Sequence, residues 1–209
     1  SKKYQNDYLI EINYKNQLIN YGNQITTENK TTQNFSQPEN FVVLECVNRL
    51  LEKGYNPKNI ILEKTWAAGH RNSAKLDICV TRDDGSEYLL IECKTFGKEF
   101  EKEFSRMKKD GGQLFTYFKF SNKADLLMLY TSELYSNPSN GKQQIRYKNE
   151  VVKIEEDYRT GDVKDFYEKW TKLTKDNGVF DTWVHPYSFI SKAITPKQLK
   201  PIQQEDSNF

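Results

Sequence analysis

The sequence predicts an α/β fold in which a mixed central β-sheet is flanked by helices, and two patterns support this. Apolar residues recur at intervals of three and four over residues 37–53, which is the spacing of an amphipathic helix. Strand-like runs follow at residues 60–66, 75–81 and 88–94. Helical and strand patterns that alternate along a chain favour a sheet that is covered by helices.

The first helix has signals at both of its ends. Ser36 and Glu39 have the spacing of a capping box, and Pro38 stands in what would be the first turn. Gly54 follows the last apolar residue of the pattern as a stop signal. We therefore expect the helix to begin directly after Ser36 and to end before Gly54.

The strand runs continue into a second helical region. The Asp-Gly within residues 82–86 favours a hairpin turn between the last two runs, so the three strands should form an antiparallel meander. Residues 99–119 have a helical pattern that is interrupted at Gly111 and Gly112. The apolar run at residues 124–131 is typical of a buried strand.

The chain divides into three segments by pattern. Residues 1–35 are rich in Asn, Gln, Lys and Thr and predict a weakly specified lead-in. Residues 36–135 hold the regular pattern of helices and strands. Residues 136–209 predict elements that pack on this core, with a strand pair at 144–155, a helical stripe at 163–175 and a polar tail. The tail indicates a piece cut from a longer polypeptide.

Composition excludes several classes of protein. Of 209 residues, 36% are hydrophobic and 29% are charged, which is typical of a folded globular chain and excludes a disordered one. The net charge of +2 does not by itself indicate a nucleic-acid partner. Three cysteines without C-x-x-C spacing favour a reducing compartment. Because no signal peptide or membrane span is recognisable, we expect a cytoplasmic protein with no membrane partner.

Three charged residues converge on the two strands of the predicted hairpin. Asp77 lies on the first strand, and Glu92 and Lys94 lie on the second. A period of two puts Glu92 and Lys94 on one face, and the hairpin can bring Asp77 beside them. Two carboxylates suit a hard cation such as Mg²⁺, and an ammonium can orient water and phosphate, so the set suits phosphodiester hydrolysis. The alternative is a strand-end acid beside a surface Glu–Lys ion pair.

The hairpin with Asp77 and Glu92-x-Lys94 resembles the signature of the PD-(D/E)XK nuclease superfamily. Leu76 stands where the name-giving Pro would be, a departure that is frequent in that family. Glu45, on the preceding helix, is at a place where the family often has an additional acidic metal-site residue. A solvated helix Glu is the alternative for this residue.

A second motif lies in the helical region that follows. Gln113 and Tyr117 are similar to the Gln-x-x-x-Tyr motif of the subset that includes the nuclease domains of Type I restriction subunits. Residues four apart lie about one helical turn from each other, so both can reach a site from one helix face. The alternative is a core Tyr with an incidental Gln.

The resemblance implies a restriction-endonuclease-like core, similar to the N-terminal nuclease domain of Type I restriction motor subunits or of fused restriction-modification enzymes. It implies cleavage of double-stranded DNA with Mg²⁺, or Mn²⁺ as its substitute, beside methylase, motor or specificity domains or subunits. The implied metal ligands are Glu45, Asp77, Glu92 and the carbonyl of Cys93, and the implied catalytic residues are Asp77, Glu92, Lys94, Gln113 and Tyr117. A non-catalytic DNA-binding or protein-interaction module with the same fold is the alternative.

A basic stretch follows the Glu-x-Lys strand. It would suit a face that tracks phosphates, but glutamates alternate with the basic residues, as in an ordinary salt-bridged helix. The basic residues are Lys98, Lys102, Arg106, Lys108 and Lys109, and the glutamates are Glu99, Glu101 and Glu103. Both interpretations stay open from the sequence.

Overall fold

The computed structural model describes residues 1–4, 7–68, 72–121 and 123–153. The helices are α1 (Glu39–Glu52), α2 (Lys98–Asp110) and α3 (Gly112–Phe118). The strands are β1 (Lys2–Lys3), β2 (Leu9–Asn13), β3 (Leu18–Asn20), β4 (Thr26–Thr27), β5 (Ile60–Ala68), β6 (Asn72–Thr81), β7 (Glu87–Cys93), β8 (Leu126–Ser136) and β9 (Gln143–Lys153). Short 3₁₀ turns lie at Thr31–Gln33 and Pro57–Asn59.

The strands form a three-stranded sheet of β1, β2 and β3 and a six-stranded sheet in the order β4-β5-β6-β7-β8-β9. In the larger sheet, β4 pairs with β5 and β7 with β8 in parallel, and the other neighbours are antiparallel. The predicted α/β fold with a mixed sheet is therefore confirmed. The predicted meander is also confirmed, because β5, β6 and β7 are consecutive antiparallel neighbours.

Two hydrophobic layers cover the two faces of the larger sheet. The α1 layer joins Val43, Cys46 and Val47 of α1 to strand residues that include Ile91 and Met128. The second layer, on the α2 and α3 side, is likewise built from helix and strand residues: Phe100, Met107, Leu114, Phe115, Leu90, Leu127 and Leu129. Because each helix buries one apolar stripe against the sheet, burial on both faces provides the main stabilisation of the fold.

The first helix ends as predicted but begins differently. Gly54 has a φ of 91° directly after the last turn, as a glycine stop signal requires. At the other end, the helix begins at Glu39 behind Pro38, and no side chain caps it. The hydroxyl of Ser36 donates to Asn34 instead. The predicted capping box is therefore wrong, because the Ser36 hydroxyl bonds to the Asn34 side chain and not to the helix backbone.

The first 35 residues contribute to the core, which their polar composition did not indicate. Tyr8, Ile10, Ile19 and Tyr21 are buried in the α1 layer. The β4 strand adds an edge to the larger sheet by pairing with β5. These strands are two to five residues long, so their alternation of buried and exposed residues is too short to stand out in the sequence.

The β8 and β9 strands form one long antiparallel hairpin, paired from Leu126–Lys153 to Ser136–Gln143. The predicted turn at residues 136–141 is confirmed, and the predicted strand pair at 144–155 is wrong, because β9 pairs with β8 without interruption. The hairpin crosses the predicted boundary between residues 135 and 136. Residues 154–209, with the predicted helical stripe and polar tail, lie outside the described residues.

The junction of α2 and α3 depends on two glycines, as their position in the sequence predicts. Gly111 and Gly112 have φ values of 83° and 56°. A Cβ on Gly112 would lie 2.4 Å from Oε1 of Glu103, a buried carboxylate that accepts the Gln113 N–H at 2.7 Å. The junction therefore has no room for a side chain at this position.

We expect Gly112→Ala to lower the free energy of unfolding by about 1–3 kcal/mol, because it combines backbone strain with displacement of Glu103. Urea unfolding measures the difference. Gly141→Ala is the matched control, since Gly141 also has a positive φ of 66° but a Cβ there meets nothing within 4 Å. Equal losses in the two variants would show that the contact with Glu103 contributes nothing.

Candidate active site

The candidate site lies where β7 ends between two longer neighbours. The last pair of β7 with β8 is Cys93 with Tyr130, and β8 continues beyond it to Ser136. On the other side, β6 begins at Asn72 and pairs with β7 from Ile78 onward. The β5–β6 and β8–β9 hairpins therefore project past the end of β7 on its two sides.

The structure brings the three predicted residues together at this point. The carboxylate Oδ2 of Asp77 accepts the backbone N–H of Cys93 at 2.7 Å. The ammonium of Lys94 forms an ion pair with Oε1 of Glu92. The backbone N–H of Lys94 donates to the carbonyl of Tyr130 at 2.9 Å, which fixes the chain directly after β7.

The site has more carboxylates than cations. Burial raises the pKa of Asp77 to about 7, with a further rise from Glu39 that Lys94 opposes. Burial and the neighbouring Asp77 raise the pKa of Glu92 well above its ordinary value. Burial acts to lower the pKa of Lys94, but the carboxylates of Glu92 and Asp77 outweigh it and raise that pKa. One ammonium therefore faces two carboxylates that repel each other.

The donor set fits a hard divalent cation. Glu92 is 3% exposed, and its Oε2 is buried without a hydrogen-bond partner among the described residues. Such an oxygen is costly to bury unless a ligand binds it. Asp77 adds a second carboxylate, and oxygen donors are the ligands that Mg²⁺ prefers. In the described part of the chain, no three His, Cys, Asp or Glu side chains are arranged to hold a metal, so carbonyl and water oxygens would have to complete the shell.

Glu45 does not join this cluster in the described contacts. Its carboxylate pairs with Arg49 at 2.8 Å, and it lies at an apolar cleft of about 590 Å³ between α1 and the β8–β9 hairpin. The α1 acid beside the site is Glu39, whose Oε2 lies 3.8 Å from Nζ of Lys94. Six residues of helix separate the two acids by about 9 Å along the axis and about 120° around it. The described contacts favour Glu39, which the sequence pattern had assigned to a capping box.

Tyr117 and Gln113 contact each other on the helix behind the site. Both lie on α3, one turn apart, and Nε2 of Gln113 donates to the Tyr117 hydroxyl at 3.3 Å. Burial raises the pKa of Tyr117, and the charges of Glu92 and Asp77 raise it further. The indole of Trp66 stacks on the Tyr117 ring at 6.1 Å and holds its orientation.

Cys93 contributes its backbone to the site, and its side chain belongs to the core. The thiol is fully buried in the α1 layer, and burial together with a hydrogen bond to Cys46 raises its pKa. Its N–H is bound by Asp77. A role for its carbonyl as a metal ligand remains a prediction.

The basic stretch on α2 has the contacts of a salt-bridged helix. Its three glutamates each pair with a basic side chain: Glu99 with Lys102 at 3.9 Å, Glu103 with Arg106 at 3.1 Å and Glu101 with Lys148 at 2.9 Å. These partners reduce the local positive charge, so the structure favours the second of the two interpretations of this stretch.

Comparison with protein-family models and with curated protein sequences gave no match. No helix within the described ranges has both the length and the apolar character that a membrane crossing requires. The function is therefore inferred from the geometry of the site.

Proposed function

We propose that this chain is a Mg²⁺-dependent endonuclease domain with a restriction-endonuclease-like core, which hydrolyses phosphodiester bonds in double-stranded DNA. One observation carries the proposal: the half-buried carboxylate of Asp77 and the buried carboxylate of Glu92 converge with the ammonium of Lys94 at the end of β7. A bound Mg²⁺ would offset the repulsion between the two carboxylates, and Mn²⁺ could take its place.

Each side chain has a separate task in this proposal. Asp77 and Glu92 would hold the cation, which supplies Lewis-acid activation of the phosphate and of a bound water. The Cys93 N–H fixes one oxygen of Asp77 and so sets the direction of the other. Lys94, held by Glu92 and Glu39, orients the scissile phosphate and stabilises the negative charge that develops on it.

The helix behind the site supports Lys94 and the phosphate. The Tyr117 hydroxyl is oriented by Gln113 and interacts electrostatically with both carboxylates, and in the proposal it donates to a phosphate oxygen. In the proposal, sequence specificity comes from other parts of a cytoplasmic restriction-modification enzyme, either methylase, motor or specificity domains or separate subunits.

The proposal is tested by incubating the chain with supercoiled plasmid in Mg²⁺, in Mn²⁺ and in EDTA, and by titrating Mn²⁺ calorimetrically in parallel. We expect nicked and linear products with either cation and none in EDTA. Binding of Mn²⁺ without any cleavage would favour the non-catalytic DNA-binding or protein-interaction module. Absence of Mn²⁺ binding would remove the proposed site.

Proton binding by the two carboxylates predicts how metal and pH act together. Their pKa values are raised in the folded protein, about 7 for Asp77, so the folded state binds more protons than the unfolded state. Their stabilising contribution is therefore full at low pH and is lost as the pH rises through about 7. Cation binding needs the deprotonated carboxylates and should restore stability where it was lost.

We accordingly expect the rise in Tm on adding Mn²⁺ to be larger at about pH 8 than at about pH 6. Differential scanning fluorimetry with and without EDTA measures it. Asp77→Asn serves as the control, in which the rise should disappear at both pH values because the variant lacks a cation ligand. A rise that is independent of pH would mean that the ion binds elsewhere.

A further inference from the structure

Glu63 has a backbone conformation that is unusual for its place in the fold. It lies inside β5, yet its φ is 55°, in the left-handed region. Two other non-glycine residues in the described ranges have a positive φ, Asp7 and Gln17, and both lie outside strands. A strand residue with a side chain adopts this conformation at a cost of about 1–3 kcal/mol, and such strain concentrates at functional sites.

Glu63 and Asp77 face each other at a gap in the pairing of β5 with β6. The pairs on either side of the gap are Leu62 with Ile78 and Lys64 with Leu76, and Glu63 and Asp77 do not themselves form a ladder pair. The strained residue and the predicted metal ligand therefore occupy corresponding positions on the two strands, where the regular ladder is interrupted.

At this level of the hairpin, side chains that should lie on the same face of the sheet lie on opposite faces. Side chains two residues apart in a regular strand share a face. Ile78 is buried in the α1 layer, but Leu76 is buried in the layer on the α2 and α3 side. The opposite strand changes face at the same level, with Leu62 in the α1 layer and Trp66 packed in the other, and the left-handed Glu63 lies between them. An irregular residue in a strand bends the ladder and increases its twist.

Asp77 belongs to neither hydrophobic layer and lies just beyond the last pair of β6 with β7. The pairing of β6 with β7 stops at Ile78 and Ile91. Beyond this pair, the N–H of Cys93 on β7 donates to the side-chain carboxylate of Asp77 on β6. Asp77 is thereby held beside Glu92, with one oxygen committed to the backbone.

The side chain of Glu63 holds the strained backbone in place. It is 1% exposed and accepts hydrogen bonds from the Thr31 N–H at 3.0 Å, from the Thr31 hydroxyl and from Nζ of Lys75 at 2.8 Å. A buried carboxylate with this many donors is well satisfied, and its bonds offset the backbone strain. The same Lys75 ammonium acts to lower the pKa of Asp77, as its proximity requires.

We propose that Glu63 is a positioning residue for Asp77: its left-handed backbone, clamped by Thr31 and Lys75, reverses the pleat of the hairpin and sets the Asp77 carboxylate beside Glu92. This inference rests on the proposed role of Asp77 and Glu92 as cation ligands.

The test separates the backbone of Glu63 from its charge. Glu63→Gly and Glu63→Val both remove the carboxylate, but glycine adopts a positive φ freely and valine resists it. We expect Glu63→Gly to bind Mn²⁺ within about threefold of the wild type, and Glu63→Val to bind it at least about tenfold more weakly. Both variants should lose stability, because both lose the clamp. Titration calorimetry at about pH 8 measures the affinities.

Glu63→Asn and Glu63→Ala extend the series if the valine variant does not fold, since asparagine tolerates the left-handed region better than alanine. The expected order of affinity is Gly, Asn, Ala. Equal affinity across the series would overturn the inference, and so would a glycine variant as weak as the others.

Two controls distinguish failure of this inference from failure of the proposed function. Glu28, three residues before Thr31, accepts hydrogen bonds from Lys64 and Thr65 of β5. Glu28→Gln should therefore lower stability without changing Mn²⁺ affinity. Asp77→Asn should abolish the binding. Loss in Asp77→Asn with unchanged affinity in all Glu63 variants overturns the positioning role alone, whereas unchanged affinity in Asp77→Asn overturns both.

Discussion

Replacing Asp77 with Asn is expected to abolish Mg²⁺-dependent cleavage of plasmid DNA while it stabilises the metal-free protein. Asparagine keeps an oxygen that can accept the Cys93 N–H, so the local geometry survives. The lost carboxylate removes a cation ligand, and cleavage should fall about a thousandfold or more, since metal activation contributes several kcal/mol. It also removes the charge that raises the pKa of Glu92.

The stabilising effect of this substitution is a sharper test than the loss of cleavage. If Asp77 had only a structural role, its replacement would lower Tm. If it is held beside Glu92 in spite of their repulsion, its replacement should raise Tm above about pH 7 in EDTA. Plasmid cleavage and scanning fluorimetry on the same samples give both values. Asp84→Asn, in the exposed turn of the same hairpin, is the matched control and should change neither. Retained cleavage in Asp77→Asn would move the chemistry elsewhere.

Replacing Lys94 with Met should separate catalysis from metal binding. The ammonium stabilises the charge that builds on the phosphate, and removing one such group lowers cleavage by about 10²–10³-fold. Mn²⁺ affinity should not fall, because Lys94 competes with the cation for the carboxylate of Glu92. Without metal the variant should lose about 3 kcal/mol of stability, since Glu92 is left buried and unpaired.

Addition of Mn²⁺ should restore most of that stability, because the cation compensates the same carboxylate. Single-turnover cleavage, calorimetry and thermal unfolding measure the three effects. Lys98→Met is the control, since Lys98 is exposed on α2 and is a neighbour in sequence. If Lys94→Met cleaves normally, the ion pair with Glu92 is structural and the cation site lacks its proposed partner.

The convergence of Asp77, Glu92 and Lys94 could be predicted because most of it depends on local rules. The Asp-Gly turn joins β6 to β7 as predicted, and Glu92 and Lys94 contact each other as alternation requires. Alternation fails on β6, where Leu76 and Ile78 lie in opposite layers. The position of acids on α1 depends on how the helix is rotated against the sheet, which packing decides. The resemblance to the nuclease superfamily indicated Glu45, whereas the contacts favour Glu39.

Glu63 had no signal of its own in the sequence. A glutamate between Leu62 and Lys64 in a strand-like run reads as an ordinary polar residue on an exposed face. A positive φ is predicted only for residues such as glycine and asparagine, so a strained glutamate is visible only in the tertiary structure. Its clamp comes from Thr31, which lies in a segment whose composition suggested a loose lead-in.

The contacts of Thr31 with Glu63 determine how far the chain can be shortened from its N-terminus without loss of function. Every motif residue lies after position 36, so a shortened chain that starts there would keep the complete signature. It would also lose both Thr31 donors to Glu63 and the aromatic and aliphatic side chains that cover α1, among them Tyr8 and Tyr21. A chain shortened to the motif region would thus keep all the proposed ligands but only the Lys75 contact to hold the strained backbone of Glu63.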